Sequence, residues 1–127
     1  MKKAIPLFII ATALLLSCQH QPVIPTNPTI TITEPLINGI YNNNDTIKMD
    51  ITMSDEDKLV DGYLYLRCDT DTFFAYQPNV LDLSSFSLDT FWILTGMSTG
   101  IDAFVTINAS NNNNGITSMD IPIFLVP

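Results

Sequence analysis

The residues best suited to chemistry are carboxylates, amides and tyrosines. The stretch Asp55-Glu56-Asp57-Lys58-Leu59-Val60-Asp61 concentrates acids in one short segment. Calcium takes six to eight oxygen ligands, and clustered carboxylates supply them. Asp55, Asp57 and Asp61 are therefore candidate calcium ligands, with Asn112 of the run Asn111-Asn112-Asn113-Asn114 adding an amide or a carbonyl oxygen. The spacing is not that of an EF-hand, because Leu59 stands fifth from Asp55 and no loop-closing Glu follows. A solvated acidic turn would read the same way. A second group is Tyr63 and Tyr65 with Asp69 and Asp71, followed by Phe73, Phe74 and Tyr76. A sugar ring stacks its C–H face on aromatic rings while acids take its hydroxyls, so Tyr63, Tyr65, Asp69 and Asp71 are candidate ligand-binding residues. Ordinary sheet surface for the tyrosines and core packing for the phenylalanines account for the same pattern.

Catalysis finds little support. The single histidine, His20, precedes the region that reads as folded, so Ser-His-Asp and Cys-His sites lack a base there. There is no Gly-rich phosphate loop and no CxxC pair. Carboxylate pairs need a cleft with a desolvated acid to cleave glycosides, and short-looped small domains offer little cleft. The expectation is a non-enzymatic chain with no cofactor, calcium excepted. The net charge of −8 gives no basic patch for nucleic acid.

These residues must be placed by strands. Ile47, Met49, Ile51 and Met53 alternate with Thr46, Lys48, Asp50 and Thr52, the clearest half-buried strand in the chain. Ile30 and Ile32 alternate with threonines before it. Leu64, Leu66 and Cys68 share the core face of a strand over 62–68, with Tyr63, Tyr65 and Arg67 on its other face. An aromatic strand follows over 72–76. Residues 80–94 hold one or two strands of unclear register, since Phe86 and Leu88 are in phase but Phe91-Trp92-Ile93-Leu94 is continuously apolar. A bulge, or a strand buried on both faces, would explain that run. Ile101, Ala103, Val105, Ile107 and Ala109 share one face of the next strand. After the 111–115 hairpin, whose Asn-Gly favours positive φ, a last strand runs over 116–126. Pro122 lacks a donor, which predicts an edge strand or an outward bulge there. Residues 35–44 and 54–61 read as loops. No segment after residue 28 has a helical period, so the fold class is all-β.

The first residues are organised differently. Lys2 and Lys3 precede an apolar run over 5–16, too short to span a bilayer. Leu15-Leu16-Ser17-Cys18 resembles the lipobox of bacterial lipoproteins. That resemblance implies a signal peptide over 1–17, cleavage before Cys18, and lipidation of the Cys18 thiol, with partition of about 0.8 kcal/mol per buried CH₂. Residues 18–28 then form a Pro-rich linker, with Pro22, Pro25 and Pro28 at the polyproline period. From Cys18 onward, Lys48, Lys58 and Arg67 stand against 13 acids, which leaves −10. Acylation would consume one of the two cysteines and leave Cys68 as a buried thiol. Gln19 follows Cys18, where the resemblance places Asp for inner-membrane retention. The expected location is therefore the bacterial cell envelope, lipid-anchored, in the outer membrane.

The remaining pattern, ITITEP, then YNNNDTIKMDITMSDED, then FVTINASNNNNGITSMDIPIFLV, resembles the Ig-like domains of bacterial surface lipoproteins and is especially similar to small lipoproteins of the Bacteroides group. The chain departs from that family's turn phrases, with Asn44 and Asn111 where Gly and Asp are usual. The resemblance implies an Ig-like antiparallel β-sandwich of about seven strands over 29–127. It also implies a binding or assembly module with the membrane, a protein or a glycan as partner. Asp45-Thr46-Ile47 matches a short pattern resembling Bacteroides-type O-glycosylation sites, and equally an ordinary strand start. In this topology the tether leaves from the acidic, Asn-rich end. A partner would then meet the far tip, around Asp69 and Asp71, or the Tyr63–Tyr65 face.

Overall fold

Strand formation is plainest where the alternation is strictest. Ile47, Met49, Ile51 and Met53 are buried almost completely, and the polar residues between them face outward. The computed structural model describes residues 24–68, 71–96 and 101–126. The expected signal peptide, Cys18, most of the expected linker and Asp69 lie outside the described residues. The strands are β1 (Thr29–Glu34), β2 (Gly39–Asn42), β3 (Thr46–Ser54), β4 (Leu59–Cys68), β5 (Asp71–Tyr76), β6 (Ser85–Ile93), β7 (Ile101–Asn111) and β8 (Ile116–Val126). They form two sheets, one ordered β1-β3-β6 and the other β2-β8-β7-β4-β5. The result is an all-β, Ig-like sandwich whose core lies between the inner faces of β3 on one side and β4, β7 and β8 on the other. Cys68 is buried in that core with Leu64 and Leu66.

Eight strands stand among the described residues where about seven were expected. The additional one, β2, falls inside the stretch 35–44 that reads as a loop. Only four residues long, it shows too little alternation to be seen. It pairs in parallel with β8, so the sandwich is not purely antiparallel. The same pairing overturns the edge expectation for Pro122, because β8 lies between β2 and β7, and its register with β7 is unbroken. The Pro122 carbonyl accepts from the Asn38 amide at 2.7 Å. A residue's N and C=O point to the same edge of a strand, so the missing donor faces β2 just ahead of the first paired residues, Gly39 and Ile123. No ladder bond is lost there.

Two further boundaries move. The acidic loop is only residues 55–58, because Leu59 is fully buried and already pairs with Asn111. Asp61 therefore belongs to β4, just past a bulge. Residues 85–93 form one strand in continuous register with β3, with neither a bulge nor burial on both faces. Trp92 points into the core and Phe91 and Ile93 point out. β6 ends its sheet, and edge position rather than irregular backbone leaves the apolar run half exposed.

Tyr41 of β2 packs against the margin of the core. Burial, and secondarily the Glu34 carboxylate, push its hydroxyl above its ordinary value of 10.0. The folded state thus holds this proton to higher pH than the unfolded chain does. Stability from this group is complete below pH 10.0 and is lost as pH rises through the folded value. Urea midpoints at neutral and at strongly alkaline pH should fall less for Tyr41→Phe than for the unaltered chain.

Candidate functional site

Two surfaces collect the polar residues singled out by the sequence. The first is the end of the sandwich where the β3–β4 turn, the β7–β8 hairpin and the segment entering β1 meet. Asn111 is its centre and is only 4% exposed. Its amide nitrogen donates to the Thr26 carbonyl at 2.6 Å and to Asp55 Oδ2 at 3.1 Å. Its amide oxygen accepts from the backbone N–H groups of Gly115 at 2.7 Å and Asn113 at 3.1 Å. Asp55, 9% exposed, accepts from the Asp57 N–H through its other oxygen. Asp57 in turn accepts from the Thr26 hydroxyl at 2.8 Å. Lys58 and Asn114 take the positive φ angles that close the two turns.

Of the candidate calcium ligands, this end holds Asp55 and Asp57 in one turn and Asn112 on the adjoining hairpin. The Asn112 side of that hairpin is exposed, and its backbone N–H donates to the Lys58 carbonyl. Asp61 is carried away on the exposed face of β4, opposite Ser110. Among the described residues no three acids, histidines or cysteines converge as a metal-holding group. Both Asp55 oxygens have partners within the fold, which accounts for the acidic turn as a latch between three chain segments. Sequence reasoning missed Asn111 as the central residue. The signal was the alternating phase. Asn111 continues the inward row Val105, Ile107 and Ala109, and Asp55 continues Ile51 and Met53.

The second surface is the outward face of the five-stranded sheet. Tyr63, 42% exposed, and Tyr65 lie along β4. The Gln77 amide donates to the Tyr63 hydroxyl at 2.8 Å, and the Asn108 amide reaches the Tyr65 hydroxyl at 3.5 Å. Asp61, Tyr63, Asn108, Ser110 and Ile116 line a shallow depression of about 360 Å³. Further along β4, Arg67 donates to Asp120 at 3.0 Å and to Thr106 at 3.2 Å, and its guanidinium lies 5.2 Å from the Phe104 ring centroid. Gln77, Asn108 and Ser110 were not anticipated, although β7 alternation placed Asn108 and Ser110 outward.

The tyrosines do not join Phe74 and Tyr76 of β5. Asp71 pairs with Cys68 at the far end of β4, while Phe74 and Tyr76 face the other way, toward β6. Their register opposite the core residues Leu66 and Leu64 sets that direction. Tyr63, Tyr65 and Asp71 are therefore not one strip.

No protein-family model and no curated protein matches the chain. Among solved structures it is similar to "Structures of Clostridium thermocellum CbhA fibronectin(III)-like modules", at 16% sequence identity and a TM-score of 0.48, over 80% of this chain and 48% of that one. The chain thus spans about half the length of the solved chain that it matches.

Proposed function

We propose that this chain is a non-catalytic binding module of the bacterial cell envelope, anchored by lipid on Cys18, that recognises carbohydrate on the outward face of its five-stranded sheet. The observation that carries the binding reading is the Tyr63–Tyr65 row. Two half-exposed rings have their hydroxyls held by amide donors, with Asp61, Asn108 and Ser110 beside them. Pre-oriented aromatic faces with a polar margin suit a sugar ring, and holding them in place beforehand lowers the entropic cost of binding. The anchor rests on the residues from Lys2 to Cys18. With Thr26 latched to the two turns, the tether leaves from that end, and the tyrosine face lies along the flank of an anchored domain.

Affinity electrophoresis in soluble cell-wall and host polysaccharides tests the ligand class. Tyr63→Ala with Tyr65→Ala should weaken retardation about tenfold or more, equivalent to at least ~1.4 kcal/mol, with unchanged melting. Retardation that both variants keep would remove the tyrosine face as the site. Metabolic labelling with an alkynyl fatty acid tests the anchor: label should appear on the full chain and vanish in Cys18→Ala. Protease shaving of intact cells then separates a surface-exposed module from a periplasmic one.

A further inference from the structure

β6 ends the three-stranded sheet and β5 ends the five-stranded one. Both edges lie on the same side of the sandwich, since Phe74 of β5 stacks on Trp92 of β6 with ring centroids 3.7 Å apart. Between them runs an apolar groove of about 490 Å³, floored by Phe74, Tyr76, Leu88 and Trp92. Phe91 and Ile93 belong to the groove's β6 margin, and with Trp92 turned inward they present the other face of that strand, where they are 64% and 66% exposed. The run Phe91-Trp92-Ile93-Leu94 has the composition of a strand buried on both faces, yet the fold buries only Trp92 and Leu94.

We propose that the free edge of β6 accepts an added β-strand from another protein, an extended segment in which apolar and basic residues alternate. A strand laid beside β6 sends alternate side chains to opposite faces. One set would fill the groove, and the other would cover Phe91 and Ile93, completing the two-sided burial. Among the described residues the sheet order leaves the outer backbone groups of β6 without a neighbouring strand, and main-chain pairing of that kind supplies affinity in strand addition. Neither β5 nor β6 carries the Lys or Pro that ordinarily blunts an edge.

Charge selects the occupant. On the outer face Asp89 adjoins Phe91, and Lys48 is shared between Asp50 and Asp89 at 3.7 Å each, which leaves the strip negative. A Lys or Arg stem can lie across Phe91 with its cation at Asp89. A second copy of this chain, at −10 from Cys18 onward, would bring acids against acids.

The probe is a blocked synthetic peptide of alternating valine and lysine, the length of β6, added to the domain from residue 24 onward and to the full chain. The only tryptophan, Trp92, lies in the groove and reports binding by its emission. A saturable change is expected with this peptide. None is expected with the valine–glutamate version, or with a peptide methylated at alternate backbone nitrogens. Ile93→Lys should weaken binding about tenfold or more while leaving the melting temperature unchanged, because the residue is exposed. Tyr63→Ala and Tyr65→Ala should leave it intact, which separates this edge from the carbohydrate face. No saturable change, or equal binding of the methylated peptide, would overturn the proposal. So would a dimer in sedimentation that Ile93→Lys disperses, since the edge would then belong to a second copy.

Discussion

Replacing Asn111 with leucine is expected to lower the stability of the domain by about 3 kcal/mol, a large share of the roughly 5–15 kcal/mol on which a small domain rests. The shape is nearly retained, so the loss isolates the amide. Its nitrogen serves Thr26 and Asp55, and its oxygen serves Gly115 and Asn113. Leaving a buried polar group without its partner costs about 1–3 kcal/mol. Four are orphaned here, and water can reach those nearest the rim, so the sum stays well below four full penalties. Urea denaturation should show a lower midpoint with an unchanged slope. Asn111→Asp makes the same point through charge. It keeps the acceptor but sets a second carboxylate where Asp55 Oδ2 now lies 3.1 Å from an N–H donor. Like charges hold a proton in the folded pair to higher pH than in the unfolded chain. This variant should be most stable in acid and lose stability as pH rises through the folded value. A leucine variant as stable as the unaltered chain would show that the amide is not the latch.

The parts that were legible in the sequence are those where burial is one-sided and strict. β3 shows this best, with Ile47, Met49, Ile51 and Met53 on one face. The same logic hides edges. β6 buries Trp92 and exposes Phe91 and Ile93, so its hydrophobicity carries no phase. β2 has only Ile40 and Tyr41 between polar turns, and it exists because β8 offers a free edge at the start of its last residues. At the site, residue type misled where phase would have served. The four consecutive asparagines are identical in composition, and only the count of two from Ala109 separates buried Asn111 from exposed Asn112. Asp61 drew attention by its charge, yet Leu59 and its pairing with Asn111 already commit that segment to β4. The tyrosines were legible because they alternate with Leu64 and Leu66. Their amide partners were not, because Gln77 and Asn108 reach them across the sheet.

Gly115→Ala is expected to cost about 2–3 kcal/mol, and to do so by expelling the segment that enters β1. The Asn-Gly pair suggests a glycine needed for positive φ, but in the fold Asn114 takes the positive angle, at 62°, and Gly115 does not. What Gly115 provides is room. A Cβ there would collide with the Thr26 carbonyl oxygen and stand 2.8 and 2.9 Å from the two atoms of the Asn111 amide. The first obstacle is backbone and the others belong to a side chain fixed on four partners, so none can give way by rotating. The cheapest relief is to lift residues 24–28 off the turns, which also breaks the Thr117 hydroxyl contact to the Pro28 carbonyl. Limited proteolysis should therefore cut this segment faster in Gly115→Ala, in step with the fall in urea midpoint. Gly96→Ala is the matched control. Gly96 has φ of +70° with nothing among the described residues within 4 Å, so its alanine meets backbone strain of about 1–2 kcal/mol and leaves the entering segment protected. Combining Gly115→Ala with Asn111→Leu should cost less than the sum of the two, because each already releases Thr26. Strict additivity, or unchanged cleavage at residues 24–28, would mean that the glycine and the amide act on separate parts of the fold.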